Sequence, residues 1–383
     1  MDQFKRWKWL MILLSILWFG SFSLAYGAYP PAKKTVYGWE MPDGEQFIFL
    51  GQIDARAKMV GTDRDGFLNK ITNLDMELRM RENLDPADFD SNFEKFKTFL
   101  KDSTRTWMIN EKNEVFSRLQ KIYFAAKETV PGFIPNKVYF IKTSGDEEIK
   151  DMYVRGECII IPQNILDEMT GKEGGKGYQY IGRRGGTKIS RQDYLTHRLA
   201  CMLFHVLRAR NNALETKLYS LIGFYPVASV EAEGKFKEKI ITDPTCWNTD
   251  YIAAVVDDMG KRTFIAPVCY SIASTYNRAY GKNLCDYRRM ALVEVTRGDR
   301  FGSYREKYSK SGEPLITMPS VYPDFYENVK DNSNNLNHPA TIIADNAALA
   351  VMLKEWEKKY RGFGINLNHN LLSEIRKILI TGN

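Results

Sequence analysis

The stretch from Ser190 to Arg210, SRQDYLTHRLACMLFHVLRAR, most constrains the fold. Ser190 with Asp193 three residues on reads as a capping box. Leu195, Leu199, Met202, Leu203, Val206 and Leu207 then recur three and four apart. That spacing makes one apolar helix face, which the rest of the chain has to cover. With 383 residues, 44% of them hydrophobic, the chain can build such a core. Charged residues make up 26% and no low-complexity tract occurs, so the composition is that of an ordered globular protein. The length allows one large domain or two to three small ones.

Around this helix the pattern is mixed. Residues 65–130 place apolar residues at helical spacing, until PGFIPN stops the run with two prolines. KVYFIKT (137–143) and MYVRGECIIIP (152–162) read as two strands, the second ended by Pro162. The glycine-rich loop GKEGGKGYQYIGRRGG lacks the lysine spacing of a phosphate loop and reads as a solvated surface. Residues 229–275 look mostly β, in KIITDP, YIAAVVDD and TFIAPVCYSI. Residues 276–337 are mixed, with a helical start. Residues 338–360 form a second long helix with Pro339 in its first turn. No internal repeat is visible.

The amino terminus predicts export. MDQFKRWK is a short basic region, WLMILLSILWF an apolar run of 11 residues, and Ala25 and Gly27 are small residues before a cleavage point at Ala28. The expectation is a signal peptide over 1–27, a linker over 28–45, and a mature protein that is periplasmic or secreted. The alternative is an uncleaved inner-membrane anchor over residues 9–28. Cleavage leaves 51 basic and 46 acidic residues. That balance is mild, and no basic stripe interleaved with aromatics suggests nucleic acid as a partner. Five cysteines without a C-x-x-C pair give neither a zinc ribbon nor a thioredoxin-type motif. Most of them read as small buried hydrophobes.

Within the first helix, Cys201 and His205 stand four residues apart, so both reach one side. A metallopeptidase helix carrying H-E-x-x-H uses that spacing to aim two imidazoles at one zinc, with the glutamate as general base. A third ligand comes from a separate helix, and a further carboxylate orients one of the histidines. The segments YVRGECIIIP, CMLFHVLRARNNALETKLYSLIGFYPV and HPATIIADNAALAV occur here in that order. They resemble TRGNAIVLP, HELFHVLSRxNPxLRxxLYxxIGF and HPEEILADNF of a family of exported bacterial zincin-like metallopeptidases, of the H-E-x-x-H, gluzincin type. Likenesses of lower specificity bring the covered range to roughly residues 50–360. The resemblance implies an α+β fold over residues 46–375. It would hold a helical part (65–130), a small mixed sheet with the core helix 191–210 (137–227), and a C-terminal part (228–375) whose helix 338–360 packs on the first. Cys201 and His205 should then face Thr341 and Asp345.

The departures from the family pattern fall on the chemistry. Cys201 replaces the first ligand histidine, Met202 the general base, and Thr341 the third ligand glutamate. His205 and Asp345 are retained. The expectation is a degenerate site without intact catalytic residues and without a bound cofactor. A rewired zinc site of Cys201, His205 and Asp345 is the alternative, whereas His197 lies a turn too far from a metal held by 201 and 205. The implied function is an exported pseudo-metallopeptidase that binds a protein, peptide or cell-envelope component through the former substrate cleft. There the edge strand Tyr153, Val154, Arg155 and Gly156 would pair with an extended ligand. The rivals are a zinc-dependent hydrolase with an altered Cys/His site and a purely structural envelope protein.

Overall fold

The computed structural model describes residues 31–61, 66–172, 177–181, 187–246 and 248–382. Residues 1–27 and the alternative anchor, along with much of the glycine-rich loop, lie outside the described residues. Among the described residues no helix is long and apolar enough to cross a membrane.

The chain is mixed α+β. Its first sheet holds β1 (Lys33–Lys34), β2 (Gly38–Glu40), β3 (Gln46–Phe49), β4 (Thr104–Arg105), β5 (Lys137–Thr143), β6 (Tyr153–Arg155) and β7 (Cys158–Pro162). The order is β1-β2-β3-β5-β7-β6, with β4 beside β5. β3, β5 and β7 run parallel, and β6 lies antiparallel at the edge.

Alternation along these strands makes the sheet a middle layer. Val138, Phe140, Ile159 and Ile161 face the main core, while Ile141, Cys158, Ile160 and Tyr153 face a second one. The second core is filled by Ala55, Met59, Phe96 and Leu100, from helices Gln52–Val60 and Phe89–Ser103. The main core holds the helices Ile109–Thr129, Arg191–Ala209 and Pro339–Lys359. The last two are named here the central and facing helices. The central helix is buried at every residue from Leu195 to Val206 except Arg198.

A second, seven-stranded sheet follows the central helix, built on Tyr251–Val256, Arg262–Ser271 and Arg288–Arg297. It packs its own small core around Phe236, Ile252, Val268 and Val293.

Several expectations change. Residues 33–40 are not linker: β2 pairs with β3, and Trp39 stacks on Phe116 at 4.2 Å. A backbone whose donors and acceptors join a ladder is part of the domain. Residues 152–162 form a hairpin rather than one strand, because Gly156 takes φ +55° and turns the chain. KIITDP contributes one isolated bridge, Ile240 to Tyr270, rather than a strand. The helical start expected near 276 is absent; turns lead to a short helix at Leu284–Tyr287 and then to the ten-residue strand Arg288–Arg297. Ser190 does cap the central helix, accepting from the Asp193 N–H at 3.2 Å. The reciprocal half of the box is missing: the Ser190 N–H donates to the Tyr360 hydroxyl at 3.0 Å, at the far end of the facing helix.

Candidate functional site

The central and facing helices pack side by side, and their polar residues meet at one end of a cavity of about 360 Å³. Cys201, Met202 and His205 line it from the central helix, and Thr341 and Asp345 from the facing helix. The hairpin of β6 and the segment around Thr245 close the other side. The juxtaposition of 201 and 205 with 341 and 345 is thus present. What each residue does there differs from turn to turn of the central helix.

In the turn of His205, the acceptor nitrogen of the histidine is committed to structure. The Arg208 Nε–H donates to His205 Nδ1 at 3.0 Å. Arg208 also donates to Glu215 at 2.9 Å and to the Thr245 carbonyl. Burial pushes the His205 pKa well down, and the Arg208 charge pushes it further, so the ring is neutral. A guanidinium has no acceptor atom, so Nδ1 must be the bare nitrogen and Nε2 carries the proton. No lone pair is left for a metal. Met202 is buried and offers a thioether where a base would stand. The Thr341 hydroxyl donates to the carbonyls of His338 at 2.8 Å and Asn335 at 3.3 Å. These residues do not fit a zinc ion held by 201, 205 and 341.

One turn earlier the arrangement is open. His197, four residues before Cys201, turns its Nε2 to 3.7 Å from the Cys201 sulfur and 3.4 Å from Asp345 Oδ1. Cys201 Sγ and Asp345 Oδ1 are 3.5 Å apart. Together the three residues form a group that could hold a metal ion. The Ser333 hydroxyl donates to Asp345 Oδ2 at 2.6 Å and fixes the carboxylate. Burial pushes the Asp345 pKa up, but His197, Ser333 and Arg198 outweigh it and hold the carboxyl below its ordinary value. Burial, then the Asp345 charge, pushes the Cys201 thiol well up. A protonated, buried thiol is no nucleophile. His197 thus takes the place expected for His205. The signal was visible, since H-x-x-x-C at 197–201 has the same spacing as C-x-x-x-H at 201–205.

The expected peptide-binding edge is closed. Tyr153 and Val154 are buried, and the outward Val154 N–H donates to the Thr245 hydroxyl at 3.0 Å. The Arg155 guanidinium sits over the Phe67 ring at 4.3 Å, and Gly156 is the turn residue rather than part of the edge. Strand addition needs a free donor at that edge, which Thr245 removes. The cavity carboxylates are also engaged: Asp151 with Arg198 at 2.8 Å, Glu148 with Arg79 at 2.7 Å, and Asp243 with Arg288. All five cysteines are unpaired, four of them buried and Cys285 exposed.

No protein family, no curated protein and no solved structure matches this chain.

Proposed function

We propose that the chain is an exported, catalytically degenerate zincin that binds a protein, peptide or envelope component through the former substrate cleft. The observation that carries this reading is the Arg208 to His205 hydrogen bond. It fixes the tautomer in which His205 cannot ligate, so the retained histidine of the family pattern is spent on the ion pair Arg208–Glu215. Hydrolysis by bound zinc also needs a base, and Met202 is none. Of the cavity carboxylates, Asp151, Glu148 and Asp243 are tied to arginines, and Asp345 to Ser333 and His197.

The cavity that remains has the volume of a small-ligand site, which in general spans about 300–1,000 Å³. With β6 capped, the ligand enters the cavity by one polar group, such as a side chain or a chain end, rather than as an added strand. The rival reading, a zinc-dependent peptidase with an altered Cys/His site, has no residue in the base's position.

The test is restoration. Cys201→His, Met202→Glu and Thr341→Glu together are expected to leave peptide hydrolysis absent. Adding Arg208→Ser, which frees His205 Nδ1, is expected to introduce zinc-dependent hydrolysis, with general-base help worth about 10²–10⁴-fold. Chelator-sensitive peptide hydrolysis by the native chain would overturn the reading. Binding is measured against a peptide library with free and blocked ends, and Thr341→Phe, which fills the cavity, is expected to abolish it. A native chain that binds no member more tightly than that variant does would overturn the binding half.

A further inference from the structure

We propose that His197, Cys201 and Asp345 are the ligands of a divalent metal of the zinc class, one helical turn from the position the family pattern implies. The argument starts from the three distances. A tetrahedral zinc has bonds of about 2.3 Å to sulfur and about 2.0–2.2 Å to nitrogen and oxygen, so the edges between its ligands are roughly 3.3–3.6 Å. Here the edges are 3.7 Å from sulfur to nitrogen, 3.5 Å from sulfur to oxygen and 3.4 Å from nitrogen to oxygen. A direct imidazole–carboxylate hydrogen bond is closer, at about 2.7–2.9 Å when charge-assisted. The triangle has the size of a coordination face.

The surroundings support the same ion. His197 and Cys201 come from successive turns of one helix, which fixes their spacing without help from loops. Asp345 enters from the facing helix, and Ser333 holds its second oxygen, leaving Oδ1 turned toward the pair. Such an outer partner is what orients a ligating carboxylate. His197 and Cys201 are buried, and the Asp345 side chain is 15% exposed. One thiolate and one carboxylate neutralise a divalent cation, with the imidazole neutral, so the loaded group carries no net charge in a low-dielectric place. Thiolate and imidazole together favour zinc over magnesium or calcium. Binding is a proton exchange: the Cys201 S–H bond breaks, a sulfur–metal bond forms, and one proton leaves to solvent. The group borders the large cavity on the Cys201 side and a smaller one, about 130 Å³, on the His197 side. Water from either can complete the coordination. Metal binding is measured independently of how the cleft is used.

Cobalt(II) titrated into the purified chain is expected to bind one equivalent and give a thiolate-to-cobalt charge-transfer band, which zinc then displaces. Cys201→Ser is expected to remove the band. His197→Gln and Asp345→Asn are expected to weaken binding by tenfold or more, as loss of even an outer partner costs about 10–100-fold. His205→Gln is expected to leave it unchanged. Circular dichroism verifies that each variant is folded. Where one is not, X-ray absorption on the zinc-loaded native chain decides, by showing one sulfur neighbour at about 2.3 Å. No cobalt bound at one equivalent, a zinc shell without sulfur, or binding lost in His205→Gln and kept in His197→Gln would each overturn the proposal. Peptide hydrolysis and peptide binding are read separately, so failure here leaves the proposed function standing, and the reverse.

Discussion

The turn of the central helix that carries His205 and the turn that carries His197 hold similar residues in different company. Both histidines are buried, both stand four residues from Cys201, and both lie near the facing helix. His205 meets Arg208, a donor three residues further on, and its free nitrogen is consumed. His197 meets Asp345 and Cys201, an acceptor and a soft ligand, and its Nε2 stays turned toward both. The ligating capacity of a histidine is thus set by what its other neighbours donate, not by its place in a motif. The first turn is a brace between the central helix, Glu215 and the Thr245 segment. The second brings together three groups that could hold a metal ion.

The largest expected effect tests the brace. Arg208→Met leaves the Glu215 carboxylate buried without its guanidinium, facing the Tyr251 hydroxyl at 2.9 Å. Breaking a buried pair by removing one member costs about 3–5 kcal/mol. Urea unfolding is expected to show a loss of that size. His197→Gln in metal-free protein, which strands no ion pair of that kind, should lose less. Equal losses would erase the contrast between the two turns.

Acid is the next probe. Burial, then the Arg208 charge, depresses the His338 pKa to about 3. In the unfolded chain it returns to about 6.5. Between those values the unfolded state binds a proton that the native state refuses, so His338 lowers stability as pH falls from about 6.5 towards 3. The slope is about 1.4 kcal/mol per pH unit. His338 also caps the facing helix, its Nδ1 accepting from the Ala340 N–H at 3.0 Å. Asparagine caps equally well and does not titrate. The difference in stability between His338→Asn and the native chain is therefore expected to grow in favour of the variant below pH 6.5. Taking a difference cancels the other groups, Glu306 among them, whose pKa is raised to about 7 by burial and runs the opposite way. A constant difference across that range would place a charged His338 in the native protein.

Much of this was legible in the sequence, and the limits have physical causes. The cap at Ser190, the apolar face of the central helix and the proline in the first turn of the facing helix are local signals, and the structure carries all three. The pairing of 201 and 205 with 341 and 345 followed from the family resemblance. What was not legible depends on groups distant in the chain. Thr245 reaches Val154 across 91 positions and closes an edge that reads as open from its own residues. Arg288–Arg297 is a strand because it pairs along both sides, with Arg262–Ser271 on one and Ser303–Glu306 and Ile316–Thr317 on the other. Its own residues, RRMALVEVTR, carry little β signal at the start. Arg208 stands three residues after His205, where the family pattern has serine. Its meaning needed the hydrogen bond.

The smallest expected effect tests Thr341, the position at which the family resemblance would place a third ligand. If Thr341 is only a helix-terminus residue, its hydroxyl matters through the two carbonyls it serves. Thr341→Val keeps the shape and removes that donor. The His338 carbonyl still accepts from the N–H groups of Thr341 at 3.2 Å and Ile342 at 3.1 Å, so it is not orphaned. The loss is then that of one ordinary hydrogen bond, about 0.5–1.5 kcal/mol. Because Asp345 and Cys201 lie a turn away on their helices, the same substitution is expected to leave the cobalt spectrum unaltered. Unfolding in urea and the cobalt titration, run on one preparation, measure both. A metal affinity that falls with Thr341→Val would return the ion to the turn of His205.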